Sequence, residues 1–309
     1  MLRILLAGAT GFVGSHVTRY LLARNCDIAV LMRSQSNPWR IVDVLSRLHV
    51  IRGDLAEVST IADDICAFAP DVTVHLAWSG VGNRYRNDPQ QVTNLYSSLS
   101  LLDVIHAAGC RSWVGLGSQA EYGIYNHAIS EEMSTNPVTV YGVTKFCTCL
   151  LTQRLCDLYD MRFVWLRLFS AYGPADDSGW MIPYVILALL RGERPRLTRG
   201  EQRWDYLFVE DVAKAIYRVA AKSDLQGIFN LGSGEAHTVC SIVERIRKLI
   251  DPDLPLGFGE VPYRPNQIMH LQADISRLRE ATGWAPQVGL DEGLQRTVDW
   301  YRENRGCYA

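Results

Sequence analysis

The chain is expected to fold as an α/β protein, a doubly wound parallel sheet followed by a smaller C-terminal lobe. Three observations carry that expectation. A glycine-rich segment, Gly8-Ala-Thr-Gly-Phe-Val-Gly14, stands between a short apolar run and a helical pattern. Through the first half, short apolar runs alternate with helix-length stretches, the rhythm of strands joined by crossover helices. After Gly173-Pro174 the rhythm changes to short apolar runs separated by loops rich in Gly, Pro and Arg.

Arg3 to Leu6 reads as the first strand and Gly14 to Arg24 as the helix behind it, with Val17, Leu21 and Leu22 on its apolar side. Asp27 to Met32 is the second strand and His49 to Arg52 the third, ending at Gly53-Asp54-Leu55. Asp71 to Ala77, Trp113 to Leu116 and Arg162 to Leu168 follow as the fourth, fifth and sixth. Two long helices, Thr93 to Ala108 and Tyr141 to Tyr159, lie between them. Beyond residue 173 the patterns give helices at Ile182 to Leu190, Val209 to Ala221, Cys240 to Ile250 and Leu290 to Glu303, with one strand at Phe229 to Leu231. The expected division is a dinucleotide-binding domain over 1–172 and a mainly substrate-binding lobe over 173–309. Residues of about 205–232 are expected to return to the first sheet.

The 309 residues are enough for a sizeable core, and 48% hydrophobic with 21% charged residues is an ordinary globular composition. A formal net charge of −2 gives no bulk attraction to nucleic acid or an acidic membrane, so an anionic ligand would need local arginines. The eight cysteines lack metal or disulfide spacing, and reduced thiols with no metal site are expected. The start passes straight into the glycine motif, leaving no room for a leader. The longest apolar run, Trp180 to Leu190, is broken by Pro183 and too short to span a bilayer. A cytoplasmic location is the expectation.

In strand-turn-helix context Gly8 permits the tight turn, Gly11 admits a pyrophosphate to the backbone, and Gly14 lets helix and strand pack closely. The helix N-terminus then faces the anion. This makes the sheet Rossmann-type. NAD sites usually end the second strand on an acidic residue that accepts from the ribose 2′-hydroxyl. Here the strand ends Val30-Leu-Met-Arg-Ser34, and Arg33 with Ser34 suits a 2′-phosphate. NADP(H) is therefore favoured over NAD(H). Asp54 fits two roles, acceptor for the adenine amino group or turn cap, with Leu55 over the ring in the first.

Tyr141 and Lys145 are four residues apart, on one face of a helix about one turn from each other. A lysine beside a phenol favours proton exchange near neutral pH. Ser118 follows the fifth strand, where a hydroxyl reaches the oxygen that Tyr141 would protonate.

In this ordered series the sequence resembles the extended short-chain dehydrogenase/reductase family, in its nucleotide-sugar epimerase/dehydratase/reductase branch. Matching stretches include Gly8 to Gly14, Gly53-Asp-Leu55, His75-Leu-Ala77, Ser118 to Gly123, Tyr141 to Lys145, Arg167 to Pro174, Gly200 to Asp211 and Asn230-Leu-Gly232. The resemblance implies Ser118, Tyr141 and Lys145 as the catalytic triad, with Asn94 on a helix nearby. It implies cofactor contacts at Thr10, Phe12, Val13, Leu76, Ala77 and Leu168, and substrate contacts at Ser118, Gln119, Ser170, Arg203 and Arg264. The two arginines would grip a diphosphate. Trp78, Trp180 and Trp204 are open between stacking and core roles, and Glu121 between a substrate contact and a surface position.

The departures sharpen the expectation. The family's 4,6-dehydratases carry an Asp-Glu pair directly after the catalytic hydroxyl, where this chain has Gln119 and Ala120. Its fucose-nucleotide epimerase-reductases carry cysteine in place of Ala120, and Ser170 replaces a usual asparagine. Simple redox at the sugar C4 remains: NADPH-dependent reduction of an NDP-4-keto-6-deoxyhexose. An NAD-dependent 4-epimerase is the alternative, and a non-catalytic nucleotide-binding regulator a further one. Apolar residues on the two long helices (Leu99, Leu101, Leu102, Val104; Phe146, Leu150, Leu151, Leu155) fit intramolecular core. By the resemblance, such helices build a homodimer.

Overall fold

The strands of the first half are apolar on both faces because each is sandwiched between helices. In a computed structural model, which describes residues 1–308, β1 (Arg3–Ala7) sends Ile4 and Leu6 into one core and Leu5 and Ala7 into the other. β2 (Asp27–Met32) divides its side chains in the same way.

The chain continues through α1 (Phe12–Ala23), β3 (His49–Arg52), α2 (Ala62–Phe68), β4 (Val72–His75), α3 (Val92–Ala107), β5 (Ser112–Ser118), α4 (Val140–Leu158) and β6 (Arg162–Leu168). It then forms β7 (Ala171–Tyr172), α5 (Met181–Leu190), β8 (Arg203–Asp205), β9 (Leu207–Phe208), α6 (Val209–Ala221) and β10 (Gly227–Leu231). Last come β11 (Ala236–Thr238), α7 (Val239–Ile250), β12 (His270–Leu271), α8 (Ser276–Thr282) and α9 (Leu290–Glu303).

Seven parallel strands form the main sheet in the order β10-β6-β5-β4-β1-β2-β3. Val17, Leu21, Val212, Ile216 and Leu278 of α1, α6 and α8 cover one face. Ile65, Leu101, Ile105 and Cys149 of α2, α3 and α4 cover the other. The sheet order reverses direction between β1 and β4, the place where open α/β sheets receive ligands.

The second lobe has its own core of α5, α7 and α9, including Val185, Ile186, Ile242, Val243, Leu294 and Val298. Its strands form a three-stranded sheet, β11-β8-β12, and the pair β7-β9. β10 returns to pair in parallel with β6 in the main sheet, and α6 packs beside α1.

Several elements escape a sequence pattern. α2 is seven residues long, too short for a 3.6-residue period to show. The strands of the second lobe run two or three residues. No helix among the described residues is long and apolar enough to cross a membrane.

Candidate active site

A cleft of about 1170 Å³ runs from the carboxyl ends of the parallel strands into the second lobe. At one end lies the glycine turn. Gly8 has φ +96°, and a Cβ there would meet the Ala77 amide nitrogen at 2.7 Å. A Cβ on Gly14 would lie 2.0 Å from the Gly8 carbonyl oxygen, so α1 starts flush against the end of β1. Gly11 is the N-cap of α1, with no side-chain cap and no acidic residue in the first turn. The free N–H groups of that turn are left for an anion. This bare backbone cradle, in space that side chains would fill, fits a dinucleotide pyrophosphate. Thr10, Phe12 and Val13 line it, as do Leu76, Ala77 and Leu168 at neighbouring strand ends.

Arg33 lines the cleft just past β2, with Ser36 beside it. Ser34, expected as its partner, is exposed and lies outside the lining. A turn closed by the Ser36 amide on the Arg33 carbonyl (3.1 Å) brings the later serine round instead. Asp54 and Leu55 also line the cleft. The Asp54 Oδ1 accepts from the Ala56 amide at 3.0 Å, which is the cap role.

Ser118 is the last residue of β5 and caps a single 3₁₀ turn, Gln119–Glu121, its Oγ accepting from the Ala120 amide at 3.2 Å. Tyr141 sits in the first turn of α4, which Thr139 caps. The segment Asn83–Asn87 pins that turn: Tyr141 N–H donates to the Arg86 carbonyl (2.8 Å) and Val140 N–H to the Asn87 side chain (3.2 Å). Ser118, Gln119, Tyr141 and Lys145 are all buried and line the same stretch of cleft. The Gln119 side-chain oxygen is buried without a hydrogen-bond partner. Asn94 of α3 fixes the turn after β4, accepting from the Ser79 amide at 2.8 Å.

The electrostatics differ from the expected lysine–phenol pair. Lys145 Nζ donates to the Leu116 carbonyl at 2.6 Å and lies 3.6 Å from the centre of the Trp78 ring. Burial pulls its ammonium down to about 7, and Glu121 acts to raise it. Burial pushes the Tyr141 phenol above its ordinary value. The cation that opposes this is Arg86, the nearby Ser118 side chain acts in the same direction, and Glu121 acts the other way. The Arg86 guanidinium is 4.9 Å from the Tyr141 ring centre. The contacts of Lys145 hold it against β5 and Trp78. Nearby His75 is buried, its Nε2 2.9 Å from Ser98 Oγ, and burial with the Lys145 charge drives its pKa down to about 3. It is neutral at ordinary pH.

The second lobe supplies the far wall. Trp78, Trp180 and Trp204 all line the cleft, as do Arg196, Tyr206 and Arg264. Ser170 lines it too, its Oγ accepting from Trp204 Nε1 at 2.8 Å. Arg203 does not: it is exposed, outside the lining, and donates to the Ala236 carbonyl at 2.8 Å. Successive strand residues face opposite ways, so Gln202 and Trp204 turn to the cleft and Arg203 turns away. Arg196 and Arg264, with Arg33 and Arg86, are the arginines that reach the cleft. Glu121 is neither at the surface nor on the cleft wall but fully buried, paired with Arg167 at 2.8 Å.

Arg86 and Arg196 went unnoticed in the sequence because each sits in a loop without periodicity.

The model of the NAD dependent epimerase/dehydratase family matches residues 4–232. The dTDP-glucose 4,6-dehydratase of Mycolicibacterium smegmatis is 26% identical over 319 residues, covering 99% of this chain and 95% of that protein. The UDP-glucose 4-epimerase of the same organism is 27% identical over 313 residues, covering 97% and 99%. A trifunctional UDP-glucose 4,6-dehydratase/UDP-4-keto-6-deoxy-D-glucose 3,5-epimerase/UDP-4-keto-L-rhamnose-reductase of Arabidopsis thaliana is 26% identical over 97% of this chain, which spans only 47% of that longer protein. Among solved structures, the dTDP-glucose 4,6-dehydratase DesIV of Streptomyces venezuelae superposes with a TM-score of 0.91 at 25% identity, covering 99% of this chain and 98% of that one. The fold, the glycine cradle, the Ser118-Tyr141-Lys145 cluster and these matches place the chain in the NAD-dependent epimerase/dehydratase family of extended short-chain dehydrogenases/reductases.

Proposed function

We propose that the protein is an NADPH-dependent 4-ketoreductase that converts an NDP-4-keto-6-deoxyhexose to an NDP-6-deoxyhexose. The observation that carries this reading is Arg33 lining the cleft at the end of β2, with no carboxylate at that strand end. A guanidinium there suits a 2′-phosphate, whereas a carboxylate would suit the free 2′-hydroxyl. Gln119 and Ala120 after Ser118 lack the acid and base that elimination of water requires.

The bound cofactor supplies the hydride to C4. Tyr141, kept protonated by burial, gives its proton to the developing C4 alkoxide. Ser118 donates a hydrogen bond to the same oxygen, and a donor aimed at developing charge is worth a few kcal/mol. Lys145, near neutrality in its pKa, stands one helical turn away to replace the Tyr141 proton and to hold the cofactor ribose. Arg196 and Arg264 are the cleft arginines of the second lobe for the substrate diphosphate. Arg33→Ala should weaken NADPH roughly 10- to 100-fold, the scale of a charge-assisted contact, and leave NADH nearly unchanged. Equal effects on both cofactors in a fluorescence titration would remove the basis for the preference.

An NAD-dependent 4-epimerase is the second reading, favoured by the UDP-glucose 4-epimerase of Thermus thermophilus, solved in complex with NAD, which superposes with a TM-score of 0.87 at 26% identity over 98% of this chain. It requires cofactor retained through purification and no net NADPH oxidation.

We also propose a homodimer through α3 and α4. α4 buries Tyr141, Thr144, Lys145, Thr148 and Thr152 but exposes Val143, Leu150, Leu151 and Leu158, a stripe at helical spacing. On α3 the exposed Val92 and Tyr96 are one turn apart. Light scattering should give twice the chain mass, and Leu150→Glu with Leu151→Glu should give monomers. A wild-type monomer at micromolar concentration would contradict the dimer.

A further inference from the structure

Beneath the Ser118-Tyr141-Lys145 cluster lies a charge that the chemistry above leaves unassigned. Glu121 is fully buried. Its Oε1 accepts from the Ser118 amide at 2.8 Å and from Trp165 Nε1 at 3.0 Å, and its Oε2 accepts from Arg167 Nε at 2.8 Å. Gly117 leaves the room, since a Cβ there would stand 2.5 Å from Glu121 Oε1 and 2.1 Å from Trp165 Nε1. Burying a carboxylate is costly unless every lone pair finds a donor. An apolar side chain of similar volume would spare that cost, so the charge calls for a use.

We infer that Glu121 is a positioning residue for proton transfer: its carboxylate fixes the Ser118 backbone at the end of β5, and its buried negative charge faces the Lys145 amine across the Trp165 indole. The inference rests on Ser118, Tyr141 and Lys145 being the proton-transfer set. The charged and titratable groups around Lys145 are few. Tyr141 shares its helix, His75 on β4 is neutral, Arg86 lies 4.9 Å from the centre of the Tyr141 ring, and Arg167 on β6 is engaged by Glu121 itself. Lys145 Nζ lies 5.9 Å from the centre of the Trp165 ring, whose Nε1 donates to Glu121 at 3.0 Å; burial pulls Lys145 down, and Glu121 is the charge that acts to raise it. Without Glu121 the amine would lose its proton at lower pH, and Tyr141 would lose its source of replacement.

The chain has four lysines, Lys145, Lys214, Lys222 and Lys248, so ¹³Cε-lysine NMR of the full-length protein can follow Lys145 directly. Lys145→Arg assigns the signal. In Glu121→Gln, which keeps an acceptor for the Ser118 amide but removes the charge, the Lys145 midpoint should fall by about one pH unit, the scale of a nearby opposite charge. The alkaline limb of kcat should move down with it, because reduction needs the protonated pair. An unchanged midpoint in folded Glu121→Gln overturns the inference. If unpaired Arg167 prevents folding, Glu121→Gln with Arg167→Met removes both charges. A lowered midpoint there supports the inference, and an unchanged or raised one overturns it. The NMR titration needs no substrate, so a protein without ketoreductase activity would defeat the functional reading while this result stood or fell by itself.

Discussion

Tyr141→Phe is expected to lower kcat roughly 10²- to 10⁴-fold, the usual scale for losing a positioned general acid. The variant should fold and bind cofactor as the wild type does. The ring is what packs: it lies under Arg86 and edge-on to Trp78, at 4.9 and 6.0 Å, and phenylalanine keeps both contacts. Only the hydroxyl beside Ser118 is lost. Burial raises the phenol above its ordinary value, so in the proposed reduction the group would enter the reaction protonated, as the acid of that step must. Lys145 is occupied by Leu116 and Trp78, so the change should appear in kcat, with little change in KM. Near-normal turnover in Tyr141→Phe would mean that another group supplies the proton.

Gly14→Ala is expected to be the most damaging single methyl addition in the cofactor site. Its Cβ would stand 2.0 Å from the Gly8 carbonyl oxygen and 2.7 Å from the Gly8 carbonyl carbon. Both are backbone atoms of the turn, so no rotamer change relieves the contact. α1 must move away from β1. Overpacking of this kind costs about 1–3 kcal/mol and sometimes more, and the displaced helix carries the N–H groups of the phosphate cradle. Thermal unfolding should show a lowered Tm, and NADPH binding should fall by more than the stability loss alone accounts for. A variant with wild-type Tm and cofactor affinity would show that the glycine turn is not the cradle.

The boundaries of β2, β3 and β6 were legible to the residue, because strands between two helical layers read as continuous apolar runs with polar ends. The glycine turn, Ser118 and the Tyr141/Lys145 pair were equally legible, since their spacing reflects local geometry that a sequence carries. What the sequence hid was orientation across distance. Reading Arg203 as a cleft residue was a slip of one position, and on a strand one position changes the face. Ser34 failed for the same kind of reason, a turn that brings Ser36 round in its place. Glu121 looked like a loop residue because nothing local announces that Arg167 and Trp165, more than forty residues later, close over it. Arg86 likewise acquires its meaning only when its loop docks on the start of α4.

The most direct test of the central claim is absorbance in the reduced-nicotinamide band, with purified protein, NADPH or NADH, and a panel of NDP-4-keto-6-deoxyhexoses. The ketoreductase account predicts a decay that depends on NADPH and on one nucleotide series, and that Tyr141→Phe nearly abolishes. No decay with any member of the panel, together with NAD released on denaturation, would contradict it and establish the epimerase in its place.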